Sequence, residues 1–398
     1  MNVRSQTILL TILVMTACAP PSTPSSTEPP VEKIPTSLPA PSPTIDSDES
    51  PPRNAELEFN TDFTRHSVPY SEILSGGPPK DGIPALDKPE FVPVEEADSW
   101  LRATEPVILV EVAEDARAYP IQILIWHEIV NDTVGGEPLI VTFCPLCNTA
   151  IAFKRTVNGQ TLDFGTTGRL RYSNLIMYDR QTETWWQQAT GEAIVGELLG
   201  AQLEFYPATI VAWNDFKTKY PNGKVLSRET GYDRHYGRNP YFGYDDINKS
   251  PFLYDGPKTP DQLPAVARVL AVDLNSEAVA YPYDVLKEAI VVNDRVGGEE
   301  IVVLWQAGVA SPLDAGDTAS GRDVGTAAAF SRVAGGQTLT FVYDGKVVRD
   351  NETGSIWDIF GIAIDGKLKG AQLTPIVAIN HFWFSWAAFK PGTKIYQP

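Results

Sequence analysis

Cys144 and Cys147 form a C-x-x-C motif, and they account for two of the three cysteines in this 398-residue chain. Two thiols at this spacing can form a disulfide, exchange electrons with another disulfide or bind a soft metal ion. The motif alone leaves these possibilities open, because a structural disulfide, a metal site and a redox pair all use it. If the site is catalytic, its residues are Cys144 and Cys147, acting as a redox pair.

A metal site needs more than these two thiolates, because zinc in proteins is held by further ligands. His127 lies before Cys144 on a predicted short helix, which should pack against the strand that leads into the motif. The sequence therefore predicts a site of Cys144, Cys147 and His127 for copper or zinc, with thiolate softness favouring copper. In a redox pair, His127 would instead lower the pKa of a thiol. The alternative is a helix-end histidine that hydrogen bonds the backbone.

The chain contains a diverged second copy of the same region. The tripeptide AYP at 118–120 recurs at 280–282, which is 162 positions later, and NDxVGGE at 131–137 recurs at 293–299. A solenoid repeat would be roughly 20–50 residues long, so this spacing indicates duplication of a domain or half-domain.

The two copies differ at the residues that could carry chemistry. In the second copy, Gln306 stands at the position of Cys144 and Val309 at that of Cys147. Ala289 stands at the position of His127. Residues that both copies share are expected to have a structural role in the fold. Chemistry at a thiol pair is therefore expected in the first copy only.

Short apolar runs rich in β-branched residues dominate the chain after residue 56, and Gly, Pro or Asn-Asp clusters separate them. Runs of this kind predict strands. Few stretches have helical character; one follows Pro120 and another follows Pro282, since proline fits the first turn of a helix. We expect an α+β fold of mainly antiparallel β-structure with short helices, in which one barrel- or sandwich-like unit is duplicated.

The N-terminus has the pattern of an export signal, with Arg4 followed by an apolar run and then by Met-Thr-Ala-Cys, which ends at Cys18. The run is too short to span a bilayer, which takes about 20 apolar residues. Residues 1–18 resemble a bacterial lipoprotein signal. We expect Cys18 to carry lipid and to anchor the exported protein to a bacterial membrane on its extracytoplasmic side. The alternative is an ordinary secretory signal.

Three segments are expected after the signal. Residues 19–55 are rich in Pro, Ser and Thr and should form a disordered tether, because they cannot bury enough apolar surface to offset the entropy of ordering. The first repeat is predicted at 56–250, and the second, without the cysteines, at 251–398. The formal net charge of −18 argues against nucleic acid as a partner. The membrane, reached through the lipid, is the only partner that the sequence predicts.

Two further groups of polar residues are candidates for ligand binding. The first could hold an anion or a carboxylate, with salt bridges as the alternative, and consists of Arg169, Arg171 and Arg180. The second lies in GYDRHYGRNPYFGYDD at 231–246, which has no visible counterpart in the second copy, and includes Arg234, His235 and Tyr236. Its mixture of aromatic, cationic and glycine residues suits ligand recognition, and equally suits a linker packed across an interface.

Several other chemistries are disfavoured. The chain has no G-x-S-x-G elbow of a serine hydrolase and no G-x-G-x-x-G or Walker lysine of a phosphate-binding loop. Glu128, Asp132 and Asp179 could serve as glycosidase carboxylates, but the two aspartates recur in the cysteine-free copy. We expect Asp179 and Trp186 to be a turn-forming aspartate and a core aromatic, because both recur, as Asp350 and Trp357.

Three long stretches resemble a known family. They read TDFTRHSVPYSEILSGGPPKDGIPALDKPEF at 61–91, ARAYPIQILIWHEIVNDTVGGEPLIVTFCPLCNTAIAF at 116–153 and SNLIMYDRQTETWW at 173–186. The chain resembles the bacterial domain-of-unknown-function family 3179, densely over roughly residues 60–250 and loosely over the second repeat. The resemblance implies an exported or lipid-anchored protein without an assigned activity.

Taken together, the sequence predicts an exported lipoprotein with a site at Cys144 and Cys147, backed by His127. The site would bind copper or zinc, or carry out thiol–disulfide chemistry. The competing expectation is a non-enzymatic extracytoplasmic binding module in which the two cysteines form a structural disulfide. Whether the protein is an enzyme is left open.

Overall fold

The structure is a computed structural model, and it describes residues 49–398. The predicted signal at 1–18, its lipid-carrying Cys18 and most of the tether at 19–55 lie outside the described residues.

The strands of the first part of the chain are short and separated by tight turns. In chain order they are β1 (Ile73–Ser75), β2 (Phe91–Pro93), β3 (Pro106–Val112), β4 (Asp115–Pro120), β5 (Ile129–Val134), β6 (Glu137–Cys144), β7 (Thr149–Lys154), β8 (Thr156–Val157), β9 (Gln160–Thr161), β10 (Phe164–Arg171), β11 (Asn174–Asp179), β12 (Trp185–Gln187), β13 (Glu192–Val195), β14 (Glu204–Tyr206), β15 (Thr209–Ala212) and β16 (Lys224–Leu226).

The second part of the chain continues with the same kind of element. Its strands are β17 (Arg268–Leu274), β18 (Glu277–Pro282), β19 (Val291–Val296), β20 (Glu299–Gln306), β21 (Thr326–Ser331), β22 (Val333–Ala334), β23 (Gln337–Thr338), β24 (Phe341–Tyr343), β25 (Val348–Asp350), β26 (Ile356–Trp357), β27 (Ala363–Asp365), β28 (Ala378–Phe382) and β29 (Lys394–Ile395).

Helices are few and short, and they make up 12% of the structure. They are α1 (Ala55–Glu58), α2 (Val94–Ala97), α3 (Ile121–His127), α4 (Trp213–Lys219), α5 (Tyr283–Ala289) and α6 (Trp383–Phe389), with single 3-10 turns at Tyr70–Glu72 and Pro145–Cys147. Within residues 49–398, no helix has both the length and the apolar character needed to cross a membrane.

Nearly all strand pairs are antiparallel; the two parallel pairs between named strands are β4 with β16 and β18 with β29. The larger sheets have the orders β1-β10-β11-β12-β13, β14-β7-β6-β5, β15-β3-β4-β16-β2, β28-β17-β18-β29, β19-β20-β21 and β24-β25-β26-β27. The prediction of mainly antiparallel β-structure with short helices is confirmed. The barrel-like form is wrong for the described residues, because their sheets are open and none closes on itself.

The two parts of the chain pass through similar elements. The order β3-β4-α3-β5-β6-β7 is followed later by β17-β18-α5-β19-β20-β21, and each part ends in a strand, a helix and a strand. Corresponding hairpin turns contain Gly135-Gly136, with φ of 55° and 88°, and Gly297-Gly298, with φ of 57° and 87°. A two-residue hairpin turn of this type requires positive φ at both positions, which explains the paired glycines.

The two parts also share a core. The largest cluster of buried apolar side chains includes Ile140 and Phe143 of β6 together with Phe382 and Phe384 from the C-terminal part of the chain. These four side chains are fully buried. Burial of this kind is the main source of stability in a sheet protein, so each part depends on the other.

Candidate functional site

The C-x-x-C motif lies at the end of a buried central strand. β6 pairs with β5 on one side and with β7 on the other, and its last residue is Cys144. Pro145 then begins the 3-10 turn that contains Cys147, and Asn148, with φ of 50°, directs the chain into β7. Cys144 is 2% exposed and Cys147 is fully buried. The fold therefore brings both thiols to one protected corner.

The two sulfur atoms lie side by side as free thiols. Both approach the backbone carbonyl oxygen of Ser173, with Cys144 Sγ at 3.7 Å and Cys147 Sγ at 3.3 Å. Burial raises the pKa of Cys144 well above its ordinary value, and the adjacent Cys147 thiol raises it further. Cys144 is therefore a neutral thiol at pH 7, and any reaction that makes it a thiolate has to move a proton.

Glu128 is a buried acid next to β6, the strand that ends in Cys144. It ends α3 in the left-handed conformation, with φ of 58°, and its carbonyl oxygen accepts a hydrogen bond of 2.8 Å from the N–H of Phe143. Burial, followed by the charge of Cys144, raises the pKa of Glu128 well above its ordinary value. Burial, followed by Glu128 and Cys144, also raises the pKa of Tyr241. Each of these buried groups therefore favours its neutral form.

Residues 231–254, here named the covering segment, lie over the motif. The hydroxyl of Tyr244 donates a 3.0 Å hydrogen bond to the carbonyl oxygen of Leu146, which lies between the cysteines. The hydroxyl of Ser173, whose carbonyl faces both sulfurs, donates a 2.5 Å hydrogen bond to the carbonyl oxygen of Phe252. No helix or strand forms within this described segment, so its position depends on such contacts.

Asp245 anchors the covering segment to the C-terminal part of the chain. Its carboxylate forms ion pairs with Arg268 at 2.7 Å and with Arg322 at 2.9 Å, and it accepts a 2.5 Å hydrogen bond from the hydroxyl of Ser311. The Asp245 side chain is only 1% exposed. These partners lower the pKa of Asp245, although burial acts in the opposite direction, so the carboxylate stays charged and holds the segment in place.

His127 makes its hydrogen bonds to residues outside the C-x-x-C motif. Its Nδ1 lies 2.7 Å from the carbonyl oxygen of Pro84, and its Nε2 lies 2.6 Å from the hydroxyl of Tyr236. A carbonyl oxygen can only accept, so Nδ1 carries the proton and Nε2 accepts from the tyrosine. Burial lowers the pKa of His127 to about 4. The imidazole is therefore neutral and already bonded at both nitrogen atoms.

The predicted metal ligand set of Cys144, Cys147 and His127 is not assembled. Within residues 49–398, no group of three His, Cys, Asp or Glu side chains is close enough to hold a metal ion. The physical reason is that the αL turn at Glu128 ends α3 with His127 bonded to Pro84 and Tyr236. The geometry agrees with the alternative of a helix-end histidine that hydrogen bonds the backbone.

The three predicted anion-binding arginines all have carboxylate partners. Arg169 pairs with Glu58 at 3.2 Å, and Arg171 pairs with Glu72 at 2.7 Å. The third arginine, Arg180, lies 3.0 Å from Asp81 and 3.2 Å from Asp87. Their charges are thus balanced within the fold, as the salt-bridge alternative expects.

The second predicted binding group is divided between two environments. Tyr236 contacts His127 and lies 2.5 Å from the hydroxyl of Thr230, whereas His235 is exposed. The Arg234 guanidinium donates a 3.2 Å hydrogen bond to the carbonyl oxygen of Asp233. The structure therefore separates the exposed His235 from Tyr236, whereas the charge of Arg234 acts on both Tyr236 and His127. The segment that carries these residues packs across the two parts of the chain.

Glu128 and Tyr241 are two residues of this region that sequence reasoning did not connect with the cysteines. In the sequence, Glu128 stands out only as a possible glycosidase carboxylate. A usable signal is present, because at the displacement of 162 positions Glu128 falls on Ile290, just as Cys144 falls on Gln306. Tyr241 lies in the covering segment, which has no counterpart in the second copy, so no comparison within the chain could identify it.

Residues 80–393 match a family described as "Protein of unknown function (DUF3179)". The chain belongs to this family. The match includes the C-x-x-C motif, Glu128 and the covering segment, so the DUF3179 region contains the entire site described above. Neither the curated proteins nor the solved structures include a match to the chain.

Proposed function

We propose that this DUF3179 protein is an exported, lipid-anchored protein in which Cys144 and Cys147 alternate between two thiols and a disulfide. The observation that carries the proposal is the position of both sulfur atoms against one carbonyl oxygen, that of Ser173, at 3.7 and 3.3 Å. Two sulfurs held in this way need little movement to bond to each other. The oxidising environment outside the cytoplasm would favour that bond.

The difference between the two parts of the chain supports a chemical role. We propose that the parts are copies of one duplicated unit, and their common order of strands supports this. The second copy maintains its β19–β20 hairpin without cysteines or a buried glutamate at the equivalent positions. A thiol pair is therefore not required to build the unit, which favours a function beyond holding a loop.

The reaction is a thiol–disulfide exchange with a small disulfide as oxidant. A thiolate of the protein attacks one sulfur of the substrate, whose S–S bond breaks and releases the first thiol product. The second cysteine then attacks the mixed disulfide and releases the second thiol. Two electrons and two protons pass from Cys144 and Cys147 to the substrate, which leaves as two thiols.

The test is a redox titration of the purified protein in dithiothreitol buffers, read by mass-tagging of free thiols. We expect a two-electron transition at a potential above about −300 mV, because structural disulfides in secreted proteins lie below that value. The variant Cys144→Ser/Cys147→Ser is the control and should show no transition. A potential below that limit would instead favour the binding module with a structural disulfide.

A second candidate is a copper(I) site that uses only Cys144 and Cys147. The adjacent free thiols favour it, because soft thiolates select copper(I). Zinc is less suited, since structural zinc sites have four ligands. Elemental analysis after anaerobic loading decides this point: one copper per chain, lost in Cys144→Ser/Cys147→Ser, would support the site. Absence of copper from the wild-type protein would rule it out.

The membrane anchor is proposed from residues 1–18, which resemble a lipoprotein signal whose last residue is Cys18. Mass spectrometry of the mature N-terminus should find a lipid-modified cysteine, and Cys18→Ser should release the protein from the membrane fraction. An unmodified N-terminus at another residue would indicate an ordinary secretory signal instead.

A further inference from the structure

We propose that a cleft between the two parts of the chain binds a small alkylammonium cation. The cleft has a volume of about 430 Å³, which lies within the size range of small-molecule sites in proteins. Its lining includes one acid and four aromatic residues, namely Glu111, Tyr206, Tyr220, Phe330 and Phe360. This site lies outside the C-x-x-C motif, so the inference does not depend on the proposed redox function.

Aromatic side chains from both parts of the chain form walls of the cleft. Tyr220 and Phe360 meet edge to face, with ring centroids 5.9 Å apart and ring planes at 82°. Tyr206 is partly exposed, as are both of these rings, whereas Phe330 is buried. The faces of aromatic rings attract cations, and aromatic pockets recognise alkylammonium groups in this way. The walls therefore suit an organic cation better than an anion.

Glu111 supplies a negative charge at the same cleft. The Tyr206 hydroxyl donates a 2.8 Å hydrogen bond to the backbone carbonyl oxygen of Glu111, and the Tyr220 hydroxyl donates one of 2.8 Å to its carboxylate. Among the described residues, Glu111 forms no salt bridge, and Lys154, which is near Tyr206, pairs with Glu204 at 2.6 Å. A half-buried carboxylate attracts a cation more strongly than one in open water, so a cationic ligand would gain from this acid.

A second cleft, of about 240 Å³, occupies the equivalent place in the C-terminal part of the chain. A displacement of 162 positions takes Glu111 of β3 to Asp273 of β17. A displacement of 170 positions takes Tyr220 to Lys390. These two residues cap the C-termini of α4 and α6 with nearly the same backbone, with φ of −121° and −129° and ψ of 67° in both. Asp273 and Lys390 both line the second cleft, so the two clefts correspond.

The two clefts differ in the group that faces the acid. In the second cleft, Lys390 Nζ lies 2.6 Å from a carboxylate oxygen of Asp273, so the ammonium of the protein itself neutralises the acid. In the first cleft, the hydroxyl of Tyr220 takes that position and carries no charge. The larger cleft thus has the acid and the aromatic walls but lacks the ammonium that completes the smaller one. The ammonium group of a ligand would take its place.

The test is a calorimetric titration of the purified protein with choline. The neutral comparison is 3,3-dimethylbutan-1-ol, which has nearly the shape of choline but no charge. Choline should bind one site per chain at least ~10-fold more tightly than the alcohol, because only the cation is attracted by the rings and by the carboxylate.

Substitutions then identify the site. Glu111→Gln keeps an acceptor for the Tyr220 hydroxyl and should weaken choline binding roughly 10-fold. The matched control is Glu114→Gln, which should bind as wild type does, because Glu114 is exposed and does not line the cleft. Tyr220→Lys copies the arrangement at Lys390 and should abolish binding. Tyr220→Met removes the ring without adding a charge and should weaken binding only about 3-fold.

Three results would each overturn the inference. They are equal affinities of wild-type protein for choline and for the alcohol, wild-type affinity of Glu111→Gln, and wild-type affinity of Tyr220→Lys. Should Glu111→Gln not fold, the comparison of choline with the alcohol and the variant Tyr220→Lys decide the question. All of these measurements leave the cysteines unchanged, so their failure would not affect the proposed redox function.

Discussion

Two buried histidines, one in each part of the chain, hold their neutral form. Burial lowers the pKa of His127 to about 4 and that of His381 to about 3, from an ordinary 6.5. His381 Nδ1 lies 3.0 Å from the hydroxyl of Thr149, and Thr149 donates a 3.0 Å hydrogen bond to the carbonyl oxygen of Cys147. A histidine of the C-terminal part thus supports the turn that carries a thiol.

These pKa values predict a loss of stability in mild acid. The unfolded chain binds protons at these histidines near pH 6.5, whereas the folded chain does not until about pH 4 or below, so the free energy of unfolding falls as pH decreases across this window. Each unit of pKa difference corresponds to about 1.4 kcal/mol. Urea unfolding at pH 7 and pH 4.5 should show a smaller loss for His127→Gln than for wild type.

The control for this measurement is His235→Gln, because His235 is exposed. Its change in unfolding free energy between the two pH values should equal that of wild type. If His127→Gln also matches wild type, the histidine is not held neutral by the fold. The variants are compared with wild type at each pH, because other groups also change stability with pH. Burial raises the pKa of Glu105, so this acid favours folding as pH falls, opposite to the histidines.

At the scale of elements, Asp245 controls how firmly the covering segment is held. Asp245→Asn should weaken its ion pairs with Arg268 and Arg322, and removing one partner of a buried pair is strongly destabilising. We expect Cys144 and Cys147 to react with iodoacetamide at least ~10-fold faster, since local opening governs access to buried groups. The matched control is Asp246→Asn, because Asp246 is exposed and, among the described residues, its side chain accepts hydrogen bonds from Asn248. Equal rates in all three proteins would contradict this assignment.

Elements whose role depends on local sequence could be predicted. The paired glycines indicate the hairpin turns, and the recurring Asp179 and Asp350 indicate scaffold. In the structure, each aspartate accepts a 2.9 Å hydrogen bond from an indole N–H, that of Trp186 or of Trp357. These features are recognisable because all the interacting residues lie within a few positions of one another.

Elements that depend on distant contacts could not be predicted. The cysteines were identifiable from their spacing, but the partners of His127 are Pro84 and Tyr236, which lie far from it in the chain. The left-handed turn at Glu128 ends the helix just after His127, and it also depends on the surrounding fold. No periodicity in the sequence indicates that turn, so the sequence could not show which residues His127 contacts.

At the scale of the whole molecule, the shared core should couple the two parts of the chain. Phe382 lies on β28, is fully buried and belongs to the core cluster that contains β6. Phe382→Ala should cost about 3–5 kcal/mol. Because Phe382 shares this core with residues of β6, hydrogen exchange should accelerate in β6 as well as in β28. Phe242→Ala is the control, since Phe242 is 72% exposed. Acceleration confined to β28 and its immediate neighbours would indicate two independent cores.

The covering segment also limits how fast any reagent can act on the thiols. A reagent of any kind has to wait for an opening event, since Cys144 is 2% exposed and Cys147 is fully buried. At high concentrations of iodoacetamide or of N-ethylmaleimide, the rate of thiol modification should therefore approach the same maximum. The protein, and not the reagent, determines that maximum. That limiting rate would then equal the rate at which the protein opens around the two thiols.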